Sequence, residues 1–238
     1  MFFHQDLGWA QVGFTDAGTD LGRTDAAEAV QARRRAARSV AGGLDAGSDG
    51  ALDVVSMHQV HGPDAVLVGR GTPTPTADAL VTRTHGVALV VRVADCTPVL
   101  LASEDGAVAA AVHAGREGLV RGVVPRAVER VVADGPTAPL HAWVGPRACG
   151  RCYELPADLA DAVDAAVPGT RSTTSWGTPA VDVGAGVVAQ LEALGVTVHD
   201  VGAGACTIED DRFWSHRRQG ERAGRMGGVV VLAAEGRP

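Results

Sequence analysis

The stretch Val93–Arg121, VADCTPVLLASEDGAVAAAVHAGREGLVR, sets a cysteine and a histidine at the ends of two neighbouring apolar runs. The apolar residues around Cys96, Val87–Val93 and Val99–Ala102, and those of Ala107–Val112 are rich in Val, Leu and Ala and read as short buried strands. Ser103-Glu104-Asp105-Gly106 between the last two is a polar tight turn, so they predict a β-hairpin. Pairing Leu100–Ala102 with Ala107–Ala109 lays Cys96 and His113 together at its open end. Past His113-Ala114-Gly115 and Gly118, residues Val123, Val124, Ala127, Val128 and Val131 recur at helical spacing. Pro125 fits the first turn, so this amphipathic helix is expected to start near Val123.

Upstream, residues 1–22 read as irregular or edge-strand chain. Thr24-Asp25 caps a predicted helix over Ala26–Ala41, stopped by Gly42-Gly43, with Arg33, Arg34 and Arg35 in its middle; it reads as a solvated helix. Asp53–Met57 is a strand leading into His58-Gln59-Val60-His61-Gly62. Ala65–Val68 is a second strand, Gly69–Thr76 a Pro/Thr-rich loop, and Ala77–Val81 leads towards Val87. Downstream, His141–Val144 is a strand closed by Gly145-Pro146, and Arg147–Leu155 is a turn. Pro156 at the first helical position opens a helix to Val167. Gly169–Pro179 reads as a loop, Val181–Leu194 as a helix, Val196–Val198 as a strand. Gly202–Arg225 is a long loop carrying Cys206, Trp214, His216, Arg217, Arg218 and Arg225, and Val229–Leu232 closes the fold. This irregular alternation predicts a mixed α/β or α+β fold, and with no convincing linker a single domain is expected.

The chain has 238 residues, 46% of them hydrophobic, enough for a sizeable core. A net charge of −7 disfavours a nucleic-acid surface, leaving room for a local basic cluster that binds a small anion. Four cysteines, at 96, 149, 152 and 206, are too few and too unevenly spaced for a disulfide scaffold, and point to reduced thiols or ligands in a reducing cytoplasm. Met1–Asp6 carries no basic segment followed by an apolar run of signal length, and no apolar stretch is long enough to span a bilayer.

Four constellations carry chemistry. His61, Cys96 and His113 match the ligand set of a catalytic zinc with an open fourth position; the alternative is that each is core filler. His58 competes for the metal unless an extended backbone points it to the opposite face. The same atoms read without metal give a histidine-activated Cys96 nucleophile, with Asp95 or another carboxylate orienting the imidazole. Ser215, Arg217, Arg218 and Arg225 on a Gly-flanked loop suit phosphate or carboxylate, or else form a solvated basic loop. Cys149-Gly150-Arg151-Cys152 has the spacing of a redox pair or of half a zinc site; with no second CxxC and no thioredoxin-like context, structural thiols are the better reading.

Gln59-Val60-His61-Gly62, Ala77-Asp78-Ala79, Ala94-Asp95-Cys96-Thr97-Pro98, Ala111-Val112-His113-Ala114-Gly115, Val144-Gly145-Pro146 with Cys152-Tyr153-Glu154, and Ser215-His216-Arg217-Arg218 with Gly224-Arg225-Met226 follow one another in the order found in the YfiH-like family. That family is also called the laccase-domain or polyphenol oxidoreductase family and is now regarded as purine nucleoside phosphorylases. The resemblance covers roughly residues 50–232. It implies a single-domain mixed-sheet sandwich with flanking helices, similar to the catalytic domain of the deamidating cytotoxic necrotizing factor. It implies a metal held by His61, Cys96 and His113, zinc or alternatively copper, in a cytoplasmic enzyme expected to be monomeric. It further implies phosphate-dependent cleavage of adenosine, inosine, guanosine or methylthioadenosine to base and ribose 1-phosphate, with deamination of adenosine. His61, Cys96, His113 and Asp95 are then the catalytic candidates. Arg217 above all, with Arg218, Ser215, Arg225 and Arg116, would bind substrate or phosphate.

One departure stands out. Where most members of that family read His-Ala-Gly-Trp-Arg-Gly, this chain reads His113-Ala114-Gly115-Arg116-Glu117-Gly118, replacing an aromatic that could stack on a base and moving the cation one position earlier. Two other readings stand beside the phosphorylase: an amidase editing a peptidoglycan precursor, and a non-catalytic metal- or nucleoside-binding protein. A four-copper laccase ranks below them, because the sequence offers one three-ligand set rather than many histidines.

Overall fold

The computed structural model describes residues 1–42, 52–133 and 138–233. The chain opens with an antiparallel pair, β1 (Phe3–Asp6) and β2 (Ala10–Phe14), then α1 (Ala27–Ala41). Three short strands follow, β3 (Asp53–Val55), β4 (Ala65–Leu67) and β5 (Ala79–Thr82). The longer β6 (Val87–Val93), β7 (Thr97–Ser103) and β8 (Ala109–Ala114) come next. After α2 (Arg116–Val120) and α3 (Val123–Val132) come β9 (Leu140–Val144), α4 (Ala157–Ala166) and the hairpin of β10 (Arg171–Thr173) with β11 (Pro179–Val181). The chain continues through α5 (Val183–Ala193) and β12 (Thr197–Asp200) to the short α6 (His216–Gln219), and β13 (Met226–Leu232) ends it.

The strands form two mixed sheets, β1-β2-β13-β6-β3 and β12-β9-β7-β8-β5-β4, beside the small β10-β11 hairpin. Side chains alternate across each strand, which sorts the apolar residues into layers. Leu100 and Ala102 of β7 join Leu89 and Val91 of β6, Val230 and Leu232 of β13, Phe14 and Trp143 in a core between the two sheets. Val99 and Leu101 of β7 face the other way, onto Leu119, Val124, Val128, Val163 and Val187 of α2–α5. Ala88, Val90, Val229 and Val231 meet Ala37 and Val40 of α1. The result is four layers: α1, the five-stranded sheet, the six-stranded sheet, and α2–α5. Strands covered on both faces need no polar side, which is why β13 reads as an unbroken apolar run and β6 and β7 as nearly so, interrupted by Arg92 in β6 and bounded by Thr97 and Ser103 in β7.

The predicted α3 starts at Val123, and its buried residues are the five expected from spacing. The hairpin register differs. Leu100, Leu101 and Ala102 pair with Ala111, Ala110 and Ala109, two residues beyond the expected partners. Asp105 accepts hydrogen bonds from Ser103 Oγ at 2.6 Å and from the Ala107 amide at 3.1 Å, so Ala107 belongs to the turn. Pro98 then lies opposite His113, which still brings Cys96 to it.

Helix α1 is not a solvated helix: seven of its residues are buried, Arg33 among them. The Arg33 guanidinium donates to Leu21 O, Asp25 Oδ1, Ser56 Oγ and Thr24 O, so its charge is paired rather than exposed. Ala26, not Thr24 or Asp25, holds the N-cap position, and Gly42 ends the helix in a left-handed conformation; Gly43 lies outside the described residues. β2 is a buried inner strand rather than irregular chain, because β13 pairs along its open side. The expected loop Gly169–Pro179 holds β10 and the first residue of β11, and Val181 closes that hairpin instead of opening α5. Asp182 caps α5 by accepting from the Ala185 amide.

Candidate metal centre

The site is built at one end of the sandwich, where β6 passes from the five-stranded sheet into β7 of the six-stranded sheet through Ala94-Asp95-Cys96. Asp95 turns this crossing with φ 90°. Its carboxylate accepts from Thr207 Oγ1 at 2.7 Å and from the Arg217 amide at 2.7 Å. Asp95 therefore anchors the late loop and orients no imidazole. His113 sits near the end of β8 and is buried, while His61, on the loop after β3, is exposed.

His61 Nε2 lies 3.7 Å from Cys96 Sγ, and the two imidazole rings meet edge to face with centroids 4.8 Å apart. One ligand atom each from His61, Cys96 and His113 falls within 4.8 Å of the others. Gly115 makes the approach possible. A Cβ there would lie 2.6 Å from His61 Cδ2 and 3.2 Å from Cys96 Sγ.

The carboxylate that orients the set is Asp78, fully buried just before β5. Its Oδ1 accepts from His113 Nδ1 at 2.8 Å and from the His61 amide at 3.0 Å. Its Oδ2 accepts from the Gly62 amide at 2.7 Å and the Val60 amide at 3.1 Å. Donating through Nδ1, His113 keeps Nε2 as the lone-pair nitrogen, which is how a carboxylate prepares a metal-binding imidazole. The three amides hold the Val60–Gly62 turn, where His61 adopts φ 58°, a left-handed conformation costly for a residue with a side chain. Burial alone would raise the Asp78 pKa, but the bonds from His113, Gly62 and Val60 keep it below the usual carboxylate range. Burial lowers the His113 pKa against the pull of Asp78.

Cys96 is half-buried, yet burial and then the Asp95 charge push its thiol up to about 12. Such a thiol is protonated at neutral pH and is a poor nucleophile, whereas a bound cation inverts that balance.

These donors face a cavity of about 610 Å³ whose rim is basic: Arg23, Arg92, Arg116, Arg217 and Arg225 all border it. Burial and then the Arg33 charge bring the Arg92 pKa down to about 10. Arg217 lays its guanidinium 4.7 Å from the centre of the Tyr153 ring. Arg116 is ion-paired to Glu117 at 3.0 Å. Arg225 donates to the carbonyls of Ala223 and Gly224 while bordering the cavity.

Two expected phosphate contacts point elsewhere. Ser215 is fully buried and accepts from the Arg218 amide as the N-cap of α6, which occupies its oxygen. Arg218 donates to Phe213 O at 2.6 Å and Asp210 O at 3.3 Å, tying down its own loop. His58 borders the cavity but stands 3.5 Å from Asp25 and outside the ligand cluster. Sequence reasoning gave Asp78 no role of its own, although it lies in the motif Ala77-Asp78-Ala79 and is a carboxylate opening an apolar strand. Arg23 and Arg92 were also missed; nothing in its local sequence distinguishes Arg23, whereas Arg92 is the single charge inside the apolar run of β6.

Residues 1–233 match the family described as multi-copper polyphenol oxidoreductase laccase, and the chain belongs to it. It is 47% identical over 228 residues to a purine nucleoside phosphorylase of Streptomyces griseus, covering 94% of this chain and 89% of the relative. It is 49% identical over 184 residues to a purine nucleoside phosphorylase of Streptomyces coelicolor, 75% of each chain. Among solved structures it resembles a Neisseria meningitidis protein with a TM-score of 0.76 and 25% identity, covering 98% of this chain and 99% of that one.

Proposed function

We propose that the chain is a metal-dependent purine nucleoside phosphorylase, acting as one folded unit that releases the base and ribose 1-phosphate. One observation carries the reading: two imidazoles and a thiol converge at a cavity of nucleoside size rimmed by arginines. The names of the two Streptomyces relatives point the same way.

The donors fit a zinc or copper ion. They combine nitrogen and sulfur, His113 is fixed in one tautomer by Asp78, and Gly115 leaves the space a side chain would fill. When bound, such an ion supplies Lewis-acid polarisation at an open coordination position. The chain's own residues do the rest. Arg217, braced on Tyr153 and held through its amide by Asp95, presents a planar cation to phosphate. Arg225, Arg23 and Arg92 keep the cavity positive as the dianion enters. Arg116, already balanced by Glu117, replaces an aromatic stacking surface with a charge-paired one and shifts preference among purines. Deamination of adenosine belongs to the same proposal, with the purine ring directed towards the His61–Cys96–His113 floor.

The test is chromatography of the products formed from adenosine by the metal-analysed protein, with and without phosphate. Adenine and ribose 1-phosphate formed only with phosphate, and lost in His113→Ala, support the reading. Turnover that survives in His113→Ala, or that ignores phosphate, overturns it. Inosine formed by the wild-type protein and absent in the variant is the result expected for deamination.

A further inference from the structure

Some 57 residues separate Cys149 from Cys206, yet the fold brings them into contact: the Cys149 amide lies 3.4 Å from Cys206 Sγ. Cys152 and Glu209 complete the group, and one ligand atom from each of the four falls within 4.8 Å of the others. The pattern is Cys-x2-Cys facing Cys-x2-Glu. The missing half of the CxxC is thus supplied not by a second CxxC but by Cys206-Thr207-Ile208-Glu209. We propose that Cys149, Cys152, Cys206 and Glu209 bind a structural zinc ion, distinct from the His61–Cys96–His113 set.

A tetrahedral zinc with bonds of about 2.3 Å to sulfur places its ligand atoms roughly 3.8 Å apart, a contraction of about an ångström from the present spread. Glu209 is exposed, and its carboxylate already lies within the cluster. The sulfurs need little adjustment, because the backbone already holds both turns. Arg147 and Cys206 form a parallel bridge, with the Thr207 amide donating to Arg147 O at 3.0 Å. The Cys152 and Tyr153 amides both donate to Cys149 O at 3.0 Å, and the Asp210 amide to Cys206 O at 3.0 Å.

Three cysteines gathered at one point cannot all be satisfied by a disulfide, and all of them are free thiols. Two are buried, Cys152 and Cys206. Four protein ligands leave no open position, which marks a structural rather than a catalytic site.

The site has a mechanical role. Ala148, beside Cys149, donates its amide to Asp95 O at 2.9 Å, and Thr207, beside Cys206, holds the Asp95 carboxylate. Tyr153, next to Cys152, carries the Arg217 guanidinium. A zinc clasp on these turns fixes Asp95, and through it the start of the Cys96 strand, without touching substrate.

The experiment is zinc content per chain, by elemental analysis after dialysis, with thiol counting in native and denatured protein under reductant. The His61→Ala/His113→Ala double variant is expected to retain one tightly held zinc. On cobalt substitution it should show intense thiolate-to-cobalt charge-transfer absorption with tetrahedral ligand-field bands. Adding Cys149→Ser and Cys206→Ser should abolish both. A histidine double variant that folds but keeps no zinc and shows no thiolate–cobalt band overturns the proposal. So does a Cys149–Cys152 disulfide found by mass spectrometry in the reduced preparation. Because the histidine variant alone decides the question, misfolding of the cysteine variants leaves the test intact.

Discussion

Replacing Asp78 by asparagine removes the charge that organises the metal centre while keeping its shape. The carboxylate now accepts four hydrogen bonds, two at each oxygen. Asparagine keeps one carbonyl oxygen and turns an NH2 towards two donors, so at best two of the four survive. A hydrogen bond to a charged group contributes about 1.5–3 kcal/mol, so the folded state should lose roughly 3–6 kcal/mol. That is a large share of the ~5–15 kcal/mol that holds a typical domain together. Loss of the partner that orients a ligating histidine should weaken metal binding by about 10–100-fold. Urea unfolding of the metal-free proteins reads the first effect, and a chelator-competition titration with zinc reads the second. A stability loss below about 1 kcal/mol, with zinc affinity unchanged within about threefold, would refute the reasoning, since it would mean that Asp78 is not the group holding His113 and the Val60–Gly62 turn.

Gly115→Ala places a methyl group against His61 and Cys96, so zinc affinity should fall while the unfolding midpoint of the metal-free protein moves little; unchanged zinc affinity argues that the donors need no such space. Arg217→Ala should raise KM for phosphate about tenfold or more, matching the loss of a hydrogen-bonded cation worth ~1.5–3 kcal/mol, with the KM for nucleoside much less affected. The metal-free protein should lose stability on acidification in two stages. His113 has a folded pKa below its unfolded value of about 6.5, so the unfolded chain takes up the proton first and stability falls as pH drops through that value. Asp78 is likewise depressed, and its contribution, present above about pH 4, is lost as pH falls through its folded pKa; urea titrations across this range check both, and Asp78→Asn should shrink the second stage, to which the depressed carboxyls of Asp16, Asp25, Asp164 and Asp210 also contribute. Leu100→Ala, at the fully buried centre of the inter-sheet core, should cost about 2–5 kcal/mol in the same assay without changing the thiol count.

The periodic parts of this fold were legible. Spacing alone gave α3 with its buried face, because an amphipathic helix writes its environment into its own residues. The strands were legible as strands but not as members of a particular sheet: β6 and β7 are equally apolar, yet one joins β13 and the other β8 and β9. Arg33 looked solvated because the carbonyls and Ser56 that bury its charge come from other segments. The candidate donors His61, Cys96 and His113 were named from their residue types and motifs; Asp78 lies in a motif too, Ala77-Asp78-Ala79, but its bonds to His113 and to the amides of Val60, His61 and Gly62 depend on segments that only the fold brings to it. Ser215 and Arg218 were read by chemical type, and their nearest satisfied partners proved to be each other and Phe213 O. The join of Cys149 and Cys206 depends on a bridge between distant loops, information that a spacing rule does not contain.

The crossing of Ala94-Asp95-Cys96 between the two sheets divides the site by origin. Cys96 and His113 hang on strand ends seated in the common core, while Arg23 and Arg225 arrive on loops and Arg217 on the short α6, which the Asp95 carboxylate ties to the Cys96 turn. Arg217 meets Asp95 through its backbone amide, so exchanging its side chain changes the cavity mouth while that tie to the Cys96 turn stays in place. Arg116, at the start of α2 beside Gly115, lines the same cavity, so the side chain at that position alters the lining without altering the strands that carry Cys96 and His113.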